Sequence, residues 1–142
     1  MTNDRGRLLG VDYGERRVGL AISDPTGTIA SPAGVILRRA GKRPPVAELV
    51  RRAGSLEARG VVMGLPLDGN GDETPRSTEA RAVAAELSKR TGLPVEFIDE
   101  RYSTATALRA IREMGGKTRE RKGDVDALAA TVLLQRALHR AG

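Results

Sequence analysis

The chain has 142 residues, enough for one domain with a hydrophobic core and too few for two. It contains no cysteine, which excludes disulfides, thiolate metal sites and thiol nucleophiles, and it has no apolar run near the ~20 residues that cross a membrane. Lys and Arg outnumber Asp and Glu by 24 to 18, a net charge of +6 that favours a polyanionic partner such as nucleic acid. Because the N-terminus lacks an apolar leader, we expect a single cytoplasmic domain over residues 1–142.

The first predicted elements form an antiparallel meander. Residues 8–12 and 17–23 are apolar runs bounded by Gly and charge, which predicts two strands joined by a tight turn. Residues 28–37 predict a third strand, and Pro32 confines it to a sheet edge or a bulge.

After residue 45 the pattern changes to alternating helices and strands. The predicted elements are a helix (45–59), a strand (60–66), a helix (75–91), a strand (95–100), a helix from 103 or 104 to about 114, a mobile loop (115–123) and a helix (125–139). A meander followed by βα units predicts an α/β fold with a mixed five-stranded sheet and helices on both faces. This order is similar to that of the ribonuclease H-like fold, in which the first strand is central.

Three acids stand at the ends of separate predicted elements. Asp12 ends the first strand, Glu100 ends the strand 95–100, and Asp126 begins the last helix. Asp126 heads an apolar stripe at helical spacing, so it should face the sheet, and the helix N-terminus should lower the cost of its burial. If the first strand and strand 95–100 run parallel, Asp12 and Glu100 emerge at the same sheet edge.

Carboxylates crowded at one edge repel one another unless they are protonated or bridged by a cation. Oxygen ligands of this kind suit Mg²⁺ or Mn²⁺. Two such ions ~3.5–4 Å apart would activate a water and stabilise the leaving oxygen in phosphodiester hydrolysis. Each acid alone also has an ordinary interpretation, namely an Asx-turn, an ion pair with Arg or a charge at a helix N-terminus.

Four segments, VDYGERRVGLAISD (11–24), VVMGLPLDGNG (61–71), FIDERYST (97–104) and DVDALAA (124–130), occur in order and spacing that resemble the YqgF (RuvX) family of pre-16S rRNA nucleases. That family is related to the RuvC Holliday-junction resolvases, and the resemblance runs from about Leu8 to Leu138. It implies a ribonuclease H-like fold and a divalent-metal endonuclease that matures the 5′ end of 16S rRNA. It also implies catalytic, metal-ligating acids at Asp12, Glu100 and Asp126, holding Mg²⁺ or Mn²⁺, with two ions expected.

The resemblance also shows one departure from the related resolvases. RuvC-type resolvases carry a further acid three residues before the position that matches Asp126, and here that position is Gly123. The nearby Asp124 is therefore a marginal fourth metal ligand.

Further residues near the acids are candidates for substrate binding. Tyr13 and Tyr102 would stack on a base or ribose, or else pack in the core. Arg16 and Lys122 would hold phosphates, although a solvated surface role is the stronger interpretation for Lys122. Gly64 and Pro66 begin a glycine-rich segment that serves either as a substrate-contact loop or as a plain connection.

These observations favour a nuclease that acts on precursor rRNA, with three alternatives. A Holliday-junction resolvase acting on branched DNA would require a homodimer. An ATPase of the actin and sugar-kinase class would explain Asp-x-Gly at 12–14, but Glu15 follows where a small hydroxyl residue would help, and such proteins need two lobes. A non-catalytic RNA-binding adaptor would gain nothing from acids placed beside phosphates.

Overall fold

The computed structural model describes residues 6–38, 43–100 and 119–141. The strands are β1 (Arg7–Tyr13), β2 (Arg17–Ser23), β3 (Ala30–Leu37), β4 (Ala58–Leu65) and β5 (Val95–Asp99), and the helices are α1 (Val46–Ser55), α2 (Pro75–Thr91) and α3 (Arg119–Ala141). The helix predicted from 103 or 104 to about 114 lies outside the described residues. Among the helices of these ranges, none combines the length and apolarity required to span a bilayer.

The five strands form one mixed sheet in the order β3-β2-β1-β4-β5, with β1 at the centre. The pairs β1–β2 and β2–β3 are antiparallel, and the pairs β1–β4 and β4–β5 are parallel. This confirms the predicted meander and the central first strand. Because β1, β4 and β5 run parallel, their carboxyl ends meet at one edge of the sheet, where sites form in open α/β sheets.

The strand β3 lies at the sheet edge, as the proline in it predicts. Pro32 pairs with Ala21 beside an irregularity in the β2–β3 register, where a residue without an N–H is tolerated. The strand starts two residues later than predicted because the Asp24 carboxylate accepts hydrogen bonds from the backbone N–H groups of Thr28 and Ile29. These bonds, led by that of Ile29, hold the pKa of Asp24 well below its usual range.

The sheet is covered on both faces, as predicted. Side chains from α1 and α2 pack with alternate residues of the strands, including Leu9, Val11, Leu20 and Met63. The opposite face packs against α3 through the set Ala21, Val62, Ile98, Ala129, Ala130, Leu133 and Leu134. A Cβ on Gly10 would lie 2.8 Å from the Leu134 Cβ, so the small residues on this face let α3 approach the sheet closely.

The helix α2 has defined signals at both ends. Thr74 is its N-cap and accepts a hydrogen bond from the Ser77 N–H, while Ser77 in turn accepts one from the Thr74 N–H. Gly92 ends the helix in the left-handed conformation. The Thr74 hydroxyl also donates to the Pro66 carbonyl at 2.8 Å, which ties the helix start to the end of β4.

The last helix begins earlier than the sequence predicts. We expect a loop over 115–123 and a helix from 125, but α3 starts at Arg119. Residues 119–122, Arg-Glu-Arg-Lys, are strong helix formers, and their propensity outweighs the cost of about 1 kcal/mol for Gly123 inside the helix. Asp126 therefore lies about two turns inside α3, not at its N-terminus.

Candidate functional site

The three predicted acids are all buried. Asp12 is the penultimate residue of β1, Glu100 directly follows β5, and Asp126 belongs to α3. Their exposed fractions are 1%, 3% and 1%. The parallel pairing through β4 places Asp12 and Glu100 at the same edge of the sheet, and the Glu100 N–H reaches the Leu65 carbonyl at 3.5 Å. Buried ionisable groups are costly and cluster at functional sites, which makes this edge the candidate site.

A glycine on β2 connects Asp126 to Asp12. Gly19 is the residue that pairs with Asp12 across the β1–β2 ladder. A Cβ on Gly19 would collide with the backbone carbonyl of Asp126. The backbone of α3 therefore rests on β2 directly beside Asp12, an approach that any larger residue at position 19 would prevent.

A second glycine, on β4, lies on the other side of Asp12. Val11 pairs with Met63, so Gly64 lies level with Asp12 in the parallel ladder. A Cβ on Gly64 would lie 2.5 Å from Oε2 of Glu100 and 2.8 Å from Cδ1 of Leu133. Asp12 is thus flanked by two glycines on the neighbouring strands. The backbone of Asp126 covers Gly19, and the carboxylate of Glu100 covers Gly64.

A cation compensates the burial of Asp126. Arg17 Nε lies 3.7 Å from Asp126 Oδ2. The expectation that the helix N-terminus stabilises this carboxylate is wrong, because α3 begins at Arg119 and the dipole effect falls off within the first turn. The positive charge comes instead from the first residue of β2, which the sequence analysis did not select.

The donor set suits a hard divalent cation, since the acids offer only carboxylate oxygens. Burial also fits, because a nearby cation would reduce the cost of burying carboxylates in a poorly solvated place. However, within residues 6–38, 43–100 and 119–141 no three His, Cys, Asp or Glu side chains are grouped so that they could hold one ion. The acids therefore fit a divalent ion by donor type, and further ligands have to come from elsewhere, as is usual for Mg²⁺ sites completed by water and substrate phosphates.

Tyr13 lies on the sheet face opposite the acids. Its ring is buried in the core with α1 and α2, and the Arg38 guanidinium stacks over it at 4.9 Å from the centroid. Burial raises the pKa of Tyr13 far above its usual value, with Arg38 opposing and Glu79 adding to the shift. Of the two roles expected for Tyr13, this placement favours core packing.

Arg38 also holds the turn that follows Asp12. Its Nη1 donates to the Gly14 carbonyl at 2.8 Å and forms an ion pair with Glu79 at 3.1 Å. The Arg38 N–H donates to the Arg16 carbonyl at 2.8 Å. This fold role was not predicted, because Arg38 begins a run of basic residues over 38–43, a pattern that indicates a surface able to steer RNA.

The other predicted contact residues have different placements. Arg16 is exposed in the β1–β2 turn, at the same edge as the acids. Pro66 directly follows β4, and its carbonyl accepts a hydrogen bond from the Thr74 hydroxyl. Tyr102 lies outside the described residues. Lys122 and Asp124 fall in α3, but their side chains are outside the described part of the chain.

The chain matches the RuvX family, described as "Holliday junction resolvase", over residues 6–140. Three similar proteins bear the name "Putative pre-16S rRNA nuclease". The protein from Koribacter versatilis is 40% identical, with 96% of this chain and 89% of that protein covered. The one from an Anaeromyxobacter species is 42% identical (91% and 93% covered), and the one from Moorella thermoacetica is 41% identical (96% and 96% covered). These matches confirm the family resemblance predicted from the sequence.

Among solved structures, the fold is similar to RuvC of Thermus thermophilus. The structure of that protein alone gives a TM-score of 0.60 at 13% identity, covering 95% of both chains. Its complex with a Holliday junction substrate gives 0.58 at 13% identity, covering 96% of both. At this identity the likeness concerns the fold, and it confirms the ribonuclease H-like architecture.

Proposed function

Since the chain belongs to the RuvX family and is a nuclease, we propose that it is a divalent-metal-dependent endonuclease that matures the 5′ end of precursor 16S rRNA in the cytoplasm. The observation that carries the proposal is the placement of Asp12 between two glycines, each covered by another acidic residue. The names of the similar proteins point to precursor rRNA as the substrate.

The three acids would share one task. Asp12, Glu100 and Asp126 would hold Mg²⁺ or Mn²⁺, with two ions expected and Asp124 as a marginal further ligand. When bound, the metal would activate a water as the nucleophile and stabilise the leaving oxygen of the phosphodiester. Carboxylates alone repel a phosphate, so their burial at a substrate-facing edge has a use only if a cation intervenes.

Residues around the acids would bind the RNA backbone. Arg16 is exposed in the turn after β1, where its guanidinium would pair with a phosphate near the scissile bond. Gly64 would act by leaving room for Glu100, because a Cβ at this position meets the Glu100 carboxylate. Tyr102 and Lys122 stay candidates for contact with the substrate, and Pro66 for the adjoining loop.

A second candidate function is the resolution of branched DNA. The family description favours it. A resolvase must place two sites on one junction, so this function would require a homodimer. The same protein sample can therefore be assayed on both substrates while its mass in solution is measured.

The test compares the wild type with Asp12→Asn, and with Glu96→Gln as a matched control. Glu96 lies on β5 but pairs with Arg140 in an exposed position, away from the catalytic edge. We expect Mn²⁺ binding by calorimetry and precursor rRNA cleavage to be lost in Asp12→Asn and kept in the control. Cleavage retained by a folded Asp12→Asn variant would contradict the proposal. Cleavage of four-way junctions but not of precursor rRNA would replace it by the second function.

A further inference from the structure

The ion pair between Arg17 and Asp126 points to a control on metal binding. We propose that Arg17 is a positioning residue that competes with the divalent cation for Asp126 and releases this carboxylate when an RNA phosphate engages the guanidinium. Metal binding and substrate binding would thereby be coupled. This inference rests on the proposed function.

The position of Arg17 follows from the register of β2. Gly19 pairs with Asp12, and residues two apart in a strand share a face, so Arg17 lies on the face of the acids. The Arg17 side chain is 21% exposed, whereas that of Asp126 is 2% exposed. Arg17 is therefore accessible to a phosphate from solvent, while Asp126 is enclosed between α3 and the sheet.

The distance between Arg17 and Asp126 is consistent with an exchangeable pair. Arg17 Nε and Asp126 Oδ2 are 3.7 Å apart, longer than the 2.7–2.9 Å of a charge-assisted hydrogen bond. The contact is thus a Coulombic pairing, not a tight bidentate clamp. A divalent cation on Asp126 would be repelled by the guanidinium, and a phosphate bound to Arg17 would reduce that repulsion.

Thermodynamic linkage makes the coupling reciprocal. If bound phosphate raises the affinity of the acids for the cation, the bound cation must raise the affinity for phosphate by the same factor. The arrangement would also explain why the described acids do not form a ready cluster. In this scheme Asp126 is paired with Arg17 until the substrate arrives.

A purely structural role for Arg17 predicts the opposite sign. If Arg17 only stabilised the buried Asp126, its removal would disorder the site and weaken Mn²⁺ binding along with cleavage. If Arg17 competes with the cation, its removal strengthens Mn²⁺ binding while cleavage falls. The two readouts therefore separate the roles.

The experiment titrates Mn²⁺ by calorimetry into the wild type, Arg17→Gln, Arg17→Lys and the control Arg90→Gln. Arg90 pairs with Glu86 on the exposed side of α2. We expect Arg17→Gln to bind Mn²⁺ about tenfold more tightly, by removal of one nearby positive charge, and to cleave precursor rRNA with a raised KM. Arg17→Lys and Arg90→Gln should keep the wild-type Mn²⁺ affinity.

An unchanged or weaker Mn²⁺ affinity in Arg17→Gln would overturn this inference and leave the proposed function in place. A wild type that binds no Mn²⁺, with or without RNA, would overturn both. Circular dichroism and thermal melting check that each variant is folded. If Arg17→Gln does not fold, Arg17→Met, which keeps the aliphatic stem without the charge, gives the same comparison.

Discussion

At the scale of single residues, the site depends on the absence of side chains as much as on the acids. Gly64→Ala places a Cβ 2.5 Å from Oε2 of Glu100 and 2.8 Å from Cδ1 of Leu133. The carboxylate and α3 must both shift, so we expect a loss of about 1–3 kcal/mol in the free energy of unfolding, typical of overpacking. We also expect weaker Mn²⁺ binding and at least a roughly tenfold loss of cleavage, because Glu100, a proposed metal ligand, is displaced. Urea unfolding, calorimetry and a cleavage assay measure the three effects.

Gly54→Ala is the matched control for this substitution. Gly54 lies in α1, and a Cβ there meets no other atom within 4 Å. Alanine in a helix is favoured over glycine by roughly 0.5–1 kcal/mol, so this variant should be slightly more stable and fully active. If Gly64→Ala cleaves RNA as well as Gly54→Ala does, the space above Gly64 is not needed by the site.

The sequence allows Asp12 and Glu100 to be placed, because Asp12 lies near the end of an apolar strand and Glu100 directly follows a strand. Arg17 could have been found as well, since a tight turn at 14–16 fixes the hairpin register and brings residue 17 to the face of Asp12. The ion pair that Arg17 makes with Asp126 could not be predicted, since a packed contact between α3 and β2 is set by tertiary structure. The burial of Tyr13 under Arg38 could not be predicted either, because it also depends on tertiary packing.

At the scale of elements, α2 supports the site through its N-cap. Thr74 accepts a hydrogen bond from the Ser77 N–H and donates to the Pro66 carbonyl, which directly follows β4. Thr74→Ala removes both bonds, and we expect a loss of about 0.5–2 kcal/mol in the free energy of unfolding. Urea denaturation monitored by circular dichroism measures the loss.

Thr78→Ala serves as the control for the cap. Thr78 is exposed inside α2, where alanine has the higher helix propensity, so this variant should be as stable as the wild type or slightly more so. An equal loss of stability in Thr74→Ala and Thr78→Ala would show that the cap is not the source of the effect.

A comparison of predicted and observed element boundaries shows where local sequence patterns suffice to predict them. The strands and α2 carry apolar runs and turn or cap residues at their ends, and these signals predict their bounds to within a few residues. Residues 119–123, at the start of α3, are four charged residues and a glycine, with no apolar periodicity. A charged segment of this kind is read as a loop although its propensity favours a helix, and the error displaced Asp126 to the helix N-terminus.

At the scale of the whole molecule, the chain has a net charge of +6, but its candidate site is acidic. The basic residues would attract the RNA backbone, and the buried acids would receive the cation at one edge of the sheet. If binding depends on phosphate contacts, the affinity for precursor rRNA must fall with salt, with a slope of log K against log salt of about −0.7 for each phosphate neutralised on a single strand.

The salt dependence of RNA affinity can distinguish a specific phosphate contact from the effect of the net charge. Arg16 is exposed at the edge that carries the acids, whereas Arg90 lies near the end of α2, which runs back to the opposite end of the sheet. Arg16→Gln should reduce the magnitude of the salt slope by about 0.7, since one phosphate contact is lost, and Arg90→Gln should leave the slope unchanged. Fluorescence anisotropy of a labelled precursor-rRNA fragment at several salt concentrations gives both slopes. Equal slopes for the two variants would mean that the RNA responds to net charge and is not held at the edge where Asp12 and Glu100 lie.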